Sequence, residues 1–139
     1  MLLWVATIVL VTVAVAGCEK AQEGAQAAGG EGESMIVQAT AANFDEVVLK
    51  SEVPVLLDFY ADWCPPCRQL HPNLEQVARA YPGTLKVVQV DVDRNRELAS
   101  RYSISSIPAL FVVKTGQTVD QTVGYKSVEQ LKALVGKYL

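Results

Sequence analysis

The sequence predicts an α/β fold in which helices cover both faces of a central mixed β-sheet. Residues 55–60 form a nearly continuous apolar run, which is typical of a strand that is buried on both faces. Predicted strands and helices alternate through residues 35–102, which favours parallel pairing. Two further strands, 109–114 and 117–123, are separated by only two residues, which predicts an antiparallel hairpin.

The elements before the apolar strand are short. Residues 35–40, Met-Ile-Val-Gln-Ala-Thr, are predicted to form a short strand. Asn43 is a good helix-capping residue, and it precedes a segment with Phe44, Val47 and Val48 on one face. We therefore expect a short helix capped by Asn43.

The elements after the apolar strand complete the order βαβαβαββα. A helix is predicted from residue 64 to about residue 80, with Pro72 inside it as a source of a kink. A strand follows over 85–90 and a helix over 93–102. Residues 127–130 have the pattern of a capping box that opens the last helix.

Charge is distributed unevenly along the 139 residues. The net charge of -3 arises entirely within residues 19–34, and residues 35–139 carry equal numbers of acidic and basic side chains. Binding to nucleic acid needs a basic surface, which this composition does not supply. Residues 19–34 also have too few apolar side chains to form a core, so they are predicted to be a flexible linker.

The first residues resemble the signal peptide of bacterial lipoproteins. Residues 2–16 are apolar or weakly polar, and small residues then precede Cys18. The resemblance implies a signal peptide over residues 1–17, a lipidated Cys18 with a linker over 18–34, and a location outside the cytoplasm, anchored by lipid to a membrane of the bacterial cell envelope. No Lys or Arg precedes the apolar run, which departs from that pattern. An uncleaved anchor helix and a buried helix are the alternatives.

The motif Trp63-Cys64-Pro65-Pro66-Cys67 carries the chemistry. Two cysteines one helical turn apart can form a disulfide or a dithiol. A helix N-terminus favours the thiolate, which predicts Cys64 as the nucleophile. Cys67 is expected to be more covered and to act as the resolving thiol. A zinc site is the alternative, but only His71 remains as a nearby ligand, so no metal is predicted and His71 is assigned to the helix surface.

Residues 35–139 resemble the thioredoxin family. The resemblance rests on a buried strand, a C-x-x-C motif that opens a helix, and a distant Ile107-Pro108 before another strand. It implies the thioredoxin fold and a cis peptide bond at Pro108, with Ile107 facing the disulfide. It also implies that Trp63 and Gly124 contribute to the substrate-docking surface.

Asp58 lies within the apolar strand, six residues before Cys64. Burial without a partner charge would raise the pKa of its carboxyl, and the family resemblance implies that it transfers a proton to and from Cys67. A solvated Asp at a strand end is the alternative. Many thioredoxins carry a lysine close to this Asp, whereas Gln89 takes that position here.

Two prolines separate the cysteines and are predicted to tune the site. Thioredoxins commonly have Gly-Pro there, whereas this chain has Pro65 and Pro66. Proline lacks a backbone N–H, so Pro65 removes a donor that could stabilise the Cys64 thiolate. This favours the reducing end of the family's range of potentials.

The sequence therefore predicts a membrane-tethered thiol–disulfide oxidoreductase that reduces disulfides in extracytoplasmic proteins. The expected partners are protein disulfides, a membrane electron donor and the membrane itself. The enzyme is expected to be a monomer, and it needs no cofactor beyond the Cys64–Cys67 pair. A disulfide oxidase or isomerase on the same fold, a non-catalytic adaptor and a metallochaperone are the alternatives.

Overall fold

The computed structural model describes residues 34–139, which form a five-stranded sheet with helices on both faces. The strands are β1 (Ile36–Gln38), β2 (Val55–Tyr60), β3 (Lys86–Asp91), β4 (Ala109–Lys114) and β5 (Gln117–Val123). The helices are α1 (Pro65–Ala80), α2 (Arg96–Arg101) and α3 (Val128–Val135), and a short π-helix spans Asp45–Leu49.

The sheet has the strand order β1-β3-β2-β4-β5. β3 pairs in parallel with both β1 and β2, whereas β4 pairs antiparallel with both β2 and β5. The predicted mixed sheet is therefore confirmed. β2 lies at its centre, which explains why its sequence is apolar at nearly every position.

Two hydrophobic cores lie on opposite faces of the sheet. Leu56 of β2 packs in the core that α1 and α3 cover, whereas Leu57 packs in the core that the π-helix and α2 cover. Side chains alternate between faces along a strand, so Asp58 points to the same face as Leu56. The fold thereby places a carboxyl group beneath α1, the helix that the C-x-x-C motif opens.

Two predicted helix starts are wrong, and polar side chains explain both. Asn43 does not cap a helix, because its Oδ1 accepts a 2.7 Å hydrogen bond from the backbone N–H of Thr40 and so closes a turn. α2 begins at Arg96 rather than residue 93, because Asp91 Oδ1 accepts bonds from the N–H groups of Asp93 and Arg94. Such local bonds compete with helix formation.

The hairpin and the last helix form as predicted. Thr115 and Gly116 both have positive φ, which suits the tight turn between β4 and β5. Ser127 Oγ accepts from the N–H of Gln130, and the Gln130 side chain accepts from the N–H of Ser127, which completes the capping box of α3.

The predicted signal peptide (1–17) and Cys18 lie outside the described residues, as does the linker over 18–34 apart from Ser34. The division of this part of the chain and the lipidation of Cys18 stay predictions. Within residues 34–139, no helix is long and apolar enough to cross a membrane.

Candidate active site

Cys64 and Cys67 form a disulfide at the N-terminus of α1, with their Cα atoms 5.3 Å apart. Cys64 is the N-cap residue, and its Sγ accepts a 3.3 Å hydrogen bond from the backbone N–H of Cys67. Pro65 and Pro66 occupy the first two helical positions and have no N–H. The amide of Cys67 is therefore the first in α1 that can stabilise charge on the Cys64 sulfur.

The two cysteines are almost equally covered. Cys64 is 3% exposed and Cys67 is 2% exposed, so both are buried and the predicted greater cover of Cys67 amounts to a small difference. The loop between β2 and α1 packs both residues against Ala61. A difference in their reactivity must therefore come from position in the helix rather than from burial.

The loop before β4 faces the disulfide. The Ile107–Pro108 peptide bond is cis, and the Ile107 carbonyl oxygen lies 3.9 Å from Cys64 Sγ. The N–H of Gly124 donates a 2.8 Å hydrogen bond to the Pro108 carbonyl. Gly124 has a φ of +87°, a conformation that strongly favours glycine, and no atom lies close to where a Cβ would be. The structure thus brings Ile107, Pro108 and Gly124 together beside Cys64.

Trp63 is the most exposed large hydrophobic residue among those described, with 64% of its surface accessible. Its Nε1–H donates a 2.7 Å hydrogen bond to Asp93 Oδ2, in the loop after β3. This bond fixes an apolar side chain at the edge of the active site. Asp93 was not predicted as part of the site, because nothing in the local sequence indicates that its loop reaches Trp63.

Asp58 is fully buried, which excludes the alternative of a solvated strand end. Its Oδ2 accepts a 2.8 Å hydrogen bond from Gln89 Nε2, whereas Oδ1 has no hydrogen-bond partner among the described residues. Burial raises the pKa of Asp58 to about 7, and the Gln89 hydrogen bond opposes that rise. The carboxyl group is thus set to exchange a proton near neutral pH.

Gln89 is the direct neighbour of Asp58 on β3, the position expected from the sequence. Its Oε1 lies 3.2 Å from His71 Nδ1 and accepts a 3.2 Å hydrogen bond from Gln38 Nε2. His71 lies on the exposed surface of α1, as predicted, and its ring also contacts the Gln89 side chain. The i, i+4 spacing of Cys67 and His71 on α1 was the available sign that both face the same side.

A cleft of about 240 Å³ opens to solvent beside these groups. Its lining includes Cys67, His71, Gln89 and Tyr60, together with Gln38, Ala61, Asp62 and Arg68. A cleft of this size with polar side chains in its lining has room for water, which can carry protons. Within residues 34–139, no three His, Cys, Asp or Glu side chains are grouped closely enough to hold a metal ion.

Comparison with known proteins identifies relatives of the same length as the described part. The family model described as Thioredoxin matches residues 35–137. Thioredoxin 1 of Nostoc sp. is 44% identical over 106 residues, which are 76% of this chain and 99% of the relative. Thioredoxin of Synechocystis sp. is 45% identical over 102 residues (73% and 95%). Thioredoxin of Bacillus subtilis is 44% identical over 104 residues (75% and 98%).

These relatives contradict the predicted lipid-anchored location in the cell envelope. They are named simply thioredoxin or thioredoxin 1, and the family match begins at residue 35, after the segment on which that prediction rested. The physical basis was also incomplete, because no Lys or Arg precedes the apolar run. The predicted location is corrected accordingly.

The fold and the cysteine pair agree with this comparison. A mixed sheet carries a C-x-x-C motif at the start of α1, and both lie within the matched region. The redox group of such proteins is the cysteine pair itself, so the chemistry needs no cofactor. The chain belongs to the thioredoxin family and is a protein-disulfide reductase that acts by thiol–disulfide exchange through Cys64 and Cys67.

Proposed function

We propose that this protein reduces disulfide bonds in other proteins, with Cys64 as the nucleophile, Cys67 as the resolving thiol and Asp58 as the proton acceptor. The observation that carries the proposal is the position of the Cys64–Cys67 disulfide at the N-terminus of α1. There the amide of Cys67 and the helix dipole both favour negative charge on the Cys64 sulfur.

The reaction requires two exchanges. The Cys64 thiolate attacks one sulfur of the substrate disulfide, which forms a mixed disulfide and releases a substrate thiolate. Cys67 then loses its proton and attacks Cys64, which re-forms the Cys64–Cys67 bond and releases the second substrate thiolate. Two electrons pass from the protein to the substrate, and a separate reductant must return them.

Asp58 supports the second exchange. It lies beneath α1, on the face of the sheet that this helix covers, and its pKa of about 7 allows it to accept a proton at neutral pH. The nearby cleft reaches Cys67 as well as Gln89, the hydrogen-bond partner of Asp58. Water in the cleft can link the thiol to the carboxylate without direct contact between them.

A surface for substrate segments surrounds the disulfide. Exposed Trp63 lies on one side, and the loop with Ile107 and Pro108 lies against Cys64. Gly124 leaves open space next to Pro108, because no side chain projects there. We expect the enzyme to act as a monomer, since one chain supplies all these groups.

Pro65 favours the reducing direction over oxidation or isomerisation. It removes the first N–H of α1, which leaves the Cys64 thiolate with fewer donors than a glycine at this position would provide. When the reduced protein with its Cys64 thiolate is less stable, the disulfide is harder to reduce and the reduced protein is a stronger reductant. Pro66 at the next position preserves the helical start.

The reduction of insulin disulfides by the dithiol protein tests this proposal. We expect activity in the parent protein and its loss in Cys64→Ser. Cys67→Ser should instead accumulate a mixed disulfide with the substrate, because the second exchange is blocked. Equilibration with a defined thiol buffer then gives the potential. A value near the oxidising end of the range, about −120 mV, would contradict the reductase proposal and favour an oxidase or isomerase.

A further inference from the structure

We propose that His71 is a positioning residue for proton transfer at Asp58, acting through the side chain of Gln89. This inference rests on the proposed function of Asp58 and deepens it. The three side chains come from α1, β3 and β2, and they form a continuous hydrogen-bonded chain from half-exposed His71 to the buried carboxyl. His71 is not one of the groups that react.

The hydrogen-bond capacity of Gln89 fixes the role of His71. An amide oxygen only accepts, and an amide nitrogen only donates. Gln89 Nε2 donates to Asp58 Oδ2 at 2.8 Å, so Oε1 must face His71 Nδ1. His71 therefore presents a hydrogen on Nδ1 in this arrangement, either as one neutral tautomer or as the imidazolium.

Turning the Gln89 amide exchanges its donor and its acceptor, and so reverses the protonation that Asp58 and His71 must have. If the Gln89 amide turned by half a rotation, its oxygen would face Asp58 and would accept a hydrogen only from the protonated carboxyl. Its nitrogen would then donate to an unprotonated Nδ1 of His71. The first orientation thus suits ionised Asp58 and a hydrogen on Nδ1, whereas the second suits protonated Asp58 and a bare Nδ1.

Gln38 holds the amide in the first orientation. Its Nε2 donates to the same Gln89 oxygen at 3.2 Å, and its own Oε1 accepts a 3.3 Å hydrogen bond from the Tyr60 hydroxyl. The two donors, Gln38 and His71, occupy both lone pairs of the Gln89 oxygen. Loss of the His71 donor should leave the amide less polarised and more free to turn.

The titratable groups around this chain come from β2, from α1 and from the loop between them. Tyr60 lines the cleft from the last position of β2, Asp62 lines it from the loop, and Arg68 lines it from α1. Glu75 of α1 faces the other ring nitrogen, with Oε1 3.9 Å from His71 Nε2. The groups that β1 and β3 contribute, Gln38 and Gln89, are uncharged.

The consequence is a defined order of proton movement. While Cys67 is a thiol, His71 and Gln89 hold Asp58 in its ionised form, ready to accept. After Cys67 has lost its proton to Asp58 and the Cys64–Cys67 bond has formed, the amides of Gln89 and Gln38 can turn together, and the protonated carboxyl gains an acceptor. The proton then returns to solvent through the cleft, and Asp58 ionises again.

Carboxyl titration of the full chain by ¹³C NMR tests this inference without any substrate. The disulfide form is used because its cysteines do not titrate. In His71→Ala, the pKa of Asp58 should rise by about 0.5 unit or more, because the ionised form loses its oriented donor. His71→Asn should restore the parent pKa, since an Asn side-chain N–H can take the place of Nδ1–H.

A double-mutant cycle with Gln89→Ala separates transmission through the amide from direct charge effects. In the Gln89→Ala background, His71→Ala should leave the pKa of Asp58 unchanged. Gln69→Ala, an exposed position on the same helix, is the control for general changes in α1. An unchanged pKa in His71→Ala, or an equal rise with and without Gln89, would overturn the inference. Either result would leave insulin reduction by Cys64 and Cys67, and so the proposed function, intact.

Discussion

The side-chain amide of Gln89 donates a 2.8 Å hydrogen bond to the buried carboxyl group of Asp58. The two residues are direct neighbours on adjacent parallel strands. Gln89 supplies a donor but no positive charge, so it satisfies one carboxyl oxygen without neutralising the carboxylate. This explains why the pKa of Asp58 is raised to about 7 despite the bond.

Asp58 should make the stability of the protein depend on pH. Its pKa is 3.8 in the unfolded chain and about 7 in the folded protein, so the folded state binds more protons between these values. Stability should therefore fall as the pH rises through this window. Asp58→Asn should remove the loss and stabilise the disulfide form by up to about 4 kcal/mol at pH 9, with little difference at pH 4. Urea unfolding at both pH values measures this, and a gain that is independent of pH would contradict it.

The same substitution should slow the second exchange. Without a proton acceptor, Cys67 must lose its proton to water, so decay of the mixed disulfide in Asp58→Asn should slow by about 100-fold at pH 7. In the parent, the rate of this decay should rise with pH through about 7, as Asp58 ionises. Stopped-flow measurement of mixed-disulfide decay checks both. Formation of the mixed disulfide is the internal control, because it requires only Cys64, and equal slowing of both steps would argue against a specific role for Asp58.

Pro65→Gly should make the protein a weaker reductant. Glycine restores an N–H at the first position of α1, where it can donate toward the Cys64 thiolate. The potential should become less negative by about 20–30 mV, which is roughly one kcal/mol for a two-electron couple. Equilibration with a thiol buffer measures the change. Pro72→Ala is the matched control, because it also replaces a proline of α1. The N–H that it creates lies beyond the first turn of the helix and does not face the Cys64 sulfur.

Trp63→Ala should weaken substrate binding more than stability. Trp63 is 64% exposed, so it contributes little to the core, but it offers an apolar surface beside Cys64. We expect the KM for insulin to rise about tenfold, as for other anchoring aromatic residues, with a small change in the midpoint of unfolding.

Ser127→Ala is the control for the Trp63 experiment. It removes the capping hydrogen bond of α3 and should cost about 1 kcal/mol of stability. The KM should remain at the parent value, because α3 covers the core and does not line the disulfide. A rise in KM in both variants would show that general destabilisation, rather than loss of the indole surface, weakens binding.

The sequence by itself determined the strands, the starts of α1 and α3 and the reactive pair. The apolar pattern of β2, the two-residue hairpin turn and the capping box at Ser127 are local features, and the structure has them where they were predicted. The C-x-x-C motif likewise fixes Cys64 and Cys67 one helical turn apart. Local sequence dictates such features because the atoms involved are close along the chain.

Only the tertiary structure decided which distant side chains meet. The family resemblance placed Gln89 beside Asp58, but only the structure shows that Gln89 also contacts His71, 18 residues away, because β3 pairs with β2 while α1 crosses above them. Trp63 meets Asp93 for the same reason, across 30 residues. No periodicity or propensity specifies these pairs. They exist because burying both faces of one sheet forces its elements into a single packing arrangement, which brings particular polar groups within hydrogen-bond distance.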